Sequence, residues 1–159
     1  MLSRLIKVVR TAEDALLVIL LLVMICLAVL QIFLRNFFDS GIVWGDALVR
    51  VLVLWIGLTG AMAASRNDNH IKIDVVSRYL PPSLQPFSRL ATCLFTTGIT
   101  GLMAWHSARF VLMEKADGMI AFAGVPAWIC EAAIPAAFAI ICLRYLLFCI
   151  RQVKEMMAS

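Results

Sequence analysis

Charge is scarce in this chain, and long polar stretches are scarcer. Only 15% of the 159 residues are charged, and Leu90–Trp105 carries no charge at all. That leaves no stretch for a soluble domain. There is no glycine-rich phosphate-binding loop, no Ser/His/Asp or Cys/His arrangement and no metal-ligand spacing. Nothing in the sequence therefore argues positively for an enzyme. The five cysteines, at positions 26, 93, 130, 142 and 149, are odd in number and include no Cys-x-x-Cys pair. A disulfide framework or zinc site is disfavoured on that count, and they read as small buried hydrophobes. The two histidines, His70 and His106, fall at opposite predicted membrane surfaces. A bis-histidine haem needs both imidazoles at one depth, so no haem site is expected, and no cofactor of any kind. No low-complexity segment and no internal repeat of the inverted-transporter type is present.

What fills the chain instead is apolar sequence. It is 63% hydrophobic with a mean hydropathy of +0.95, against about 45–50% apolar in ordinary soluble domains. Ala15–Leu34 is interrupted only by Gln31, Val43–Ala64 carries Asp46 and Arg50, and Pro126–Ile150 carries Glu131 and Arg144. About twenty apolar residues cross the roughly 30 Å hydrocarbon core as a helix, and lipid leaves the backbone no other way to satisfy its hydrogen bonds. The expectation is an all-α integral membrane protein, a single domain over residues 1–159, with four spans at 12–34, 43–65, 87–113 and 126–150. The first apolar run is too long for a typical signal-peptide core and lacks a clear cleavage site, so it is expected to remain as a span.

Basic residues sort by side. Arg4, Lys7 and Arg10, then Arg66, Lys72, Arg78 and Arg89, then Arg151 and Lys154 would share one surface, against Arg35 and Lys115 on the other. The positive-inside rule places both termini in the cytoplasm, as an even number of spans also does. The basic excess thus reads as topology, with no nucleic-acid partner. Residues 2–10 and 70–80 have amphipathic periodicity and read as short interfacial helices that meet phospholipid headgroups. Pro81-Pro82 ends the second. The second half of span two is rich in small residues; Gly57/Ala61 and Gly60/Ala64 are small-xxx-small pairs that let helices approach closely, so this span is the candidate for a tightly packed helix. Residues 114–124 read as an outer loop, and Pro135 predicts a kink in span four.

Intramembrane charges default to functional hypotheses. Asp46 and Arg50 are four residues apart and can pair on one helix face. With Arg109 and Glu131 they could form an outer cluster, serving either as ion pairs that lock helices or bind a partner, or as a proton or substrate path. The first reading is preferred, because each acid has a base available and none lies at the bilayer centre. Trp44 suits an interfacial belt.

The element Trp44-Gly-Asp46-Ala-Leu48-Val-Arg50, the ending Gly60-Ala-Met-Ala-Ala-Ser-Arg66, the turn His70-Ile-Lys-Ile-Asp74 and the Val125-Pro126-Ala-Trp128 and Ile134-Pro135 pairs together form a pattern. It resembles the small membrane subunit (DctQ type) of tripartite ATP-independent periplasmic (TRAP) transporters over nearly the whole chain. A Trp-x-Glu-Glu-Leu element common in that family is met in part: Asp46 stands for the first glutamate and Ala47 for the second, so no role of a second carboxylate carries over. The resemblance implies a scaffold that does not itself move substrate. It would join a large multi-spanning subunit holding the substrate and sodium sites, with a periplasmic binding protein delivering an organic acid. On this reading Trp44, Asp46 and Arg50 govern outer-side packing, and His70 and Asp74 organise the cytoplasmic turn. Two alternatives remain open on the residues alone: an independent small four-helix transporter or channel, and a membrane anchor for a redox or signalling enzyme.

Overall fold

No glycine or proline interrupts residues 2–38. In the computed structural model, which describes residues 2–66 and 85–158, they form one unbroken helix, α1 (Leu2–Phe38). At 1.5 Å per residue it is about 55 Å long. The amphipathic segment 2–10, expected as a separate interfacial helix, is instead continuous with the first span. Thr11 sits at the expected boundary and merely donates its hydroxyl to the Lys7 carbonyl at 3.0 Å, a bond that leaves the helix intact. The interfacial helix expected over 70–80, with His70 and Asp74, lies outside the described residues.

After a short connection come α2 (Gly45–Ala64) and α3 (Gln85–Asp117). α3 continues through the first residues of the expected loop and ends where Gly118 takes φ +66° and donates its N–H to Glu114 at 3.2 Å, a left-handed cap that favours glycine. The rest of that loop is a small antiparallel hairpin, β1 (Ile120–Phe122) and β2 (Val125–Pro126). Phe122 pairs with Val125, so Ala123 and Gly124 form a two-residue turn with φ of 46° and 82°, the primed geometry that matches strand twist. A short helix α4 (Ala127–Glu131) and the long α5 (Ala133–Ala158) complete the chain. The break between them, at Ala132, is the kink expected from Pro135. A proline removes one N–H and collides with the carbonyl four residues back, here that of Glu131, so the disturbance appears one turn earlier than the proline.

The principal helix contacts are α1 with α2, α2 with α5, and α5 with α3. The four long helices thus form a layer in the order α1, α2, α5, α3. α1 is held through one seam: Glu13, Leu17, Leu20, Met24, Leu27, Gln31 and Leu34, with Ala28 beside them, are shielded, and the seven recur at the alternating three- and four-residue spacing of a coiled-coil seam. Its other faces expose Val18, Ile19, Leu22, Val29 and Ile32. Such exposure on every helix suits lipid or partner helices, not water.

Small residues make the α3–α5 contact close. Gly101 faces the Cys142 sulfur, where an added Cβ would lie 3.5 Å away; Cys142 and Cys93 donate to the Thr97 and Tyr145 carbonyls; and Ala137 is 2% exposed. Span two, expected as a tightly packed helix, approaches a neighbour through only some of its small residues. Of its small residues, Gly60 meets Leu17 of α1, but Ala61 and Gly57 are exposed and nothing lies within 4 Å of a Cβ built on Gly57. Cysteines follow the small-hydrophobe reading at 130 and 149, which are buried, but not at Cys26, which is exposed.

Among the described residues, three segments are long and apolar enough to cross a membrane: Lys7–Phe38, Gly45–Ala64 and Ala127–Met157. α3, with 33 residues, has the length but is less apolar, because Thr92, Thr96, Thr97, Thr100, Gly98, Gly101 and His106 dilute its leucines and phenylalanines.

Candidate functional site

Polar side chains gather at the two ends of this layer. At the end nearer the hairpin, Gln31 of α1 is 7% exposed and closes the loop to α2. Its amide nitrogen donates to the Ile42 carbonyl at 3.1 Å and to Asp46 Oδ1 at 3.0 Å, and its oxygen accepts from the Ile42 N–H at 3.3 Å. Arg35, one turn on, donates to Asp46 Oδ2 at 2.5 Å. Gly45 makes this fit possible, since a Cβ there would stand 2.6 Å from the Gln31 amide nitrogen. Trp44 is 41% exposed and occupies the position before α2 without capping it through its side chain.

Asp46 is therefore held by Gln31 and Arg35. Arg50, its expected partner, makes no ion pair with it; the guanidinium is exposed on α2 and lines an open groove of about 380 Å³ between α1 and α2, together with Arg35, Asp46, Ile32 and Val49. The wider cluster expected from sequence does not assemble either. No pair among Asp46, Arg50, Arg109 and Glu131 lies at ion-pair distance. Arg109 is exposed on α3, and Glu131 ends α4 with one carboxylate oxygen buried and without a hydrogen-bond partner. The carbonyl beside it, of Cys130, accepts from the Trp55 indole at 2.8 Å, a link from α2 to the broken helix.

The denser cluster, at the opposite end, was missed by the sequence reading. Arg144 of α5 donates to the Met62 carbonyl at 2.5 Å, to Ser65 Oγ at 3.1 Å and to Glu13 Oε1 at 2.5 Å. Arg66 lies 3.2 Å from the other Glu13 oxygen, pairs with Asp14 and donates to the Arg10 carbonyl at 2.9 Å. Two acids and two arginines thus tie α1, α2 and α5 together around Ser65, which is 2% exposed. The hydrogen bond that Arg66 donates to Asp14, aided by the charges of Asp14 and Glu13, holds Arg66 above the usual arginine pKa, so the guanidinium stays charged. One signal was available: Arg144 is a charge inside a span, and such a charge needs an acid at its own depth. Glu13 and Asp14, at the start of span one, were the acids at that depth.

Comparison with known proteins places this architecture. Residues 24–155 match the model of the family described as tripartite ATP-independent periplasmic transporters, DctQ component. The chain belongs to the DctQ family. It is 30% identical over 106 residues to the C4-dicarboxylate TRAP transporter small permease protein DctQ of Rhodobacter capsulatus, covering 66% of this chain and 47% of that one. The protein of the same description from Pseudomonas aeruginosa is 23% identical over 117 residues, covering 70% of this chain and 55% of the relative. The sialic acid TRAP transporter permease protein SiaT of Haemophilus influenzae is 26% identical over 86 residues, covering 50% of this chain but 14% of the relative. The chain thus spans about half, or less, of the length of these relatives. The DctQ family is a transporter component, not an enzyme family, and the resemblance drawn from the Trp44–Arg50 and His70–Asp74 elements agrees with it.

Proposed function

We propose that this DctQ protein is the scaffold subunit of a sodium-driven TRAP transporter of the bacterial inner membrane, which imports an organic acid delivered by a periplasmic binding protein. The observation that carries the reading is the family match over residues 24–155, on a chain whose helices lie in an open layer with apolar faces exposed. A layer of this kind buries little of itself: 11% of the most apolar part of Lys7–Phe38 is buried. It is suited to lie beside a larger membrane protein and to widen its stationary part while another part moves substrate. On this reading α3 crosses the membrane with the other three helices, both termini face the cytoplasm, and the Gln31–Asp46 cluster and the hairpin face the periplasm.

Purification in mild detergent tests it. The tagged chain should bring down a multi-spanning subunit in stoichiometric amount, and sodium-dependent uptake into liposomes should require both proteins with the binding protein. Recovery of the chain alone as a stable homo-oligomer, or solute flux from the chain alone, would overturn the scaffold reading.

A further inference from the structure

The exposed surfaces of the four long helices differ in kind. On α1 the exposed positions include Val18, Ile19, Leu22, Val29 and Ile32; on α3, Leu94, Phe95, Leu102 and Trp105; on α5, Leu143, Leu146 and Leu147. These are bulky groups of the sort lipid chains accept. Exposed on α2 are Asp46, Arg50, Val53, Leu54, Gly57, Ala61 and Ala64; all but Leu54 fall at the three- and four-residue spacing of a single helix face. Arg50 stands five residues into the helix, about 7.5 Å from its start. Arg35 and Asp46 already satisfy each other, so of the three charges on the groove one positive charge is left over. Two turns deeper, Gly57 opens into space with nothing within 4 Å of a built Cβ, as Gly98 does on α3, but only Gly57 shares its face with an intramembrane charge and two further small residues.

An arginine within an apolar span calls for a carboxylate, and a face of glycine and alanine offers the backbone approach that helices, not lipid tails, exploit. We propose that this strip of α2 is where a membrane helix of the large transporter subunit docks, carrying an acidic side chain opposite Arg50 and passing close to the backbone at Gly57. The proposal rests on the scaffold reading and adds to it which face is used and what chemistry answers it.

A photoactivatable phenylalanine at Val53 or Ala61, compared with Ile25 on α1, Leu102 on α3 and Leu143 on α5, tests the face in native membranes with the large subunit co-expressed. Cross-links to the large subunit from Val53 and Ala61, and not from the other three, are expected. Cross-links from the other faces alone would overturn the docking face while leaving the scaffold reading intact. Co-purification failing with every probe, and with the unmodified chain, would instead overturn the scaffold reading itself. Cross-links from Ala61 to a second copy, or to lipid only, would replace the partner named here. Arg50→Leu supplies the second measurement. It should lower recovery of the complex about tenfold, the worth of one intramembrane charge pair, while Arg50→Lys should lower it less. Because Arg50 has no acid bonded to it among the described residues, Arg50→Leu should leave the melting temperature of the isolated subunit unchanged or raised. A fall in that melting temperature equal to the loss of assembly would show Arg50 to be a packing residue of its own chain and sink the proposal.

Discussion

At residue scale, the turn into α2 depends on one missing methyl group. A Cβ on Gly45 would stand 2.6 Å from the Gln31 nitrogen and 2.9 Å from its oxygen. The end of a glutamine can usually swing aside, but this one holds the Ile42 backbone at both its N–H and its carbonyl, and Asp46 as well. Gly45→Ala should therefore cost about 1–3 kcal/mol, the range for overpacking a filled site. The cost should shrink in a Gln31→Ala background, where the collision is gone and the hydrogen bonds are already lost. Thermal melts of the four proteins in one detergent give the coupling; strictly additive shifts would mean that Gly45 and Gln31 act separately. Part of this was legible beforehand, since Trp44-Gly-Asp46 stood out as a motif and Gln31 as the one interruption of the apolar run Ala15–Leu34. That Asp46 turns to Gln31 and Arg35 and not to Arg50 was not legible. Spacing of four makes a pair possible on one helix, but a neighbouring helix offering two donors outcompetes it.

At the scale of elements, the readable features were those with local causes. Apolar runs gave the helices and Pro135 gave the break, while the outer loop was read as starting at 114, four residues before Gly118 ends α3. Glycine and proline are equally informative by absence, and their absence from residues 2–38 is why the amphipathic start runs straight into the first span. Partner choice between helices had no local cause to read. Glu13 and Arg144 are 131 residues apart in sequence, and small residues on α2 and α3 look alike until one face is covered and the other is not. The Glu13 bond matters because α1 has one seam and would otherwise be fastened at this end only by Arg66, through the exposed Asp14 and the Arg10 carbonyl. The pair is largely shielded, with side-chain exposures of 19% and 15%. Breaking such a pair from one side leaves a charge without its counterpart, and for fully buried pairs costs about 3–5 kcal/mol. Glu13→Gln keeps the shape and one acceptor, so a loss of about 1–3 kcal/mol is expected, with faster hydrogen exchange along the first turns of α1 than along α5. A melt indistinguishable from the parent would show that Asp14 and the seam suffice.

For the whole molecule, the arrangement in the membrane turns on α3. Its threonines lower its hydropathy below that of the other long helices, yet their hydroxyls do not face lipid unpaired. Thr92, Thr96, Thr97 and Thr100 each donate to the carbonyl four residues back, at 3.0, 2.9, 2.8 and 2.7 Å, which removes most of the cost of burying a hydroxyl in hydrocarbon. Thr97 and Thr100 also lie on the shielded side of α3. Composition scales charge each threonine as a free hydroxyl and so understate the case for a span here. With α3 crossing, the number of crossings is even and the two termini share a side; without it, they lie on opposite sides. Reporter fusions separate the two. Alkaline phosphatase fused after Met157 should be inactive and a fluorescent protein there should be bright, while phosphatase inserted at the Ala123–Gly124 turn should be active, since the basic residues in the first turns of α1 and the last turns of α5 hold both ends in the cytoplasm. Active phosphatase at the C-terminus would remove α3 from the membrane and leave three spans. The layer could not then keep its order, because α5 and α3 share its most extensive contact and would have to part.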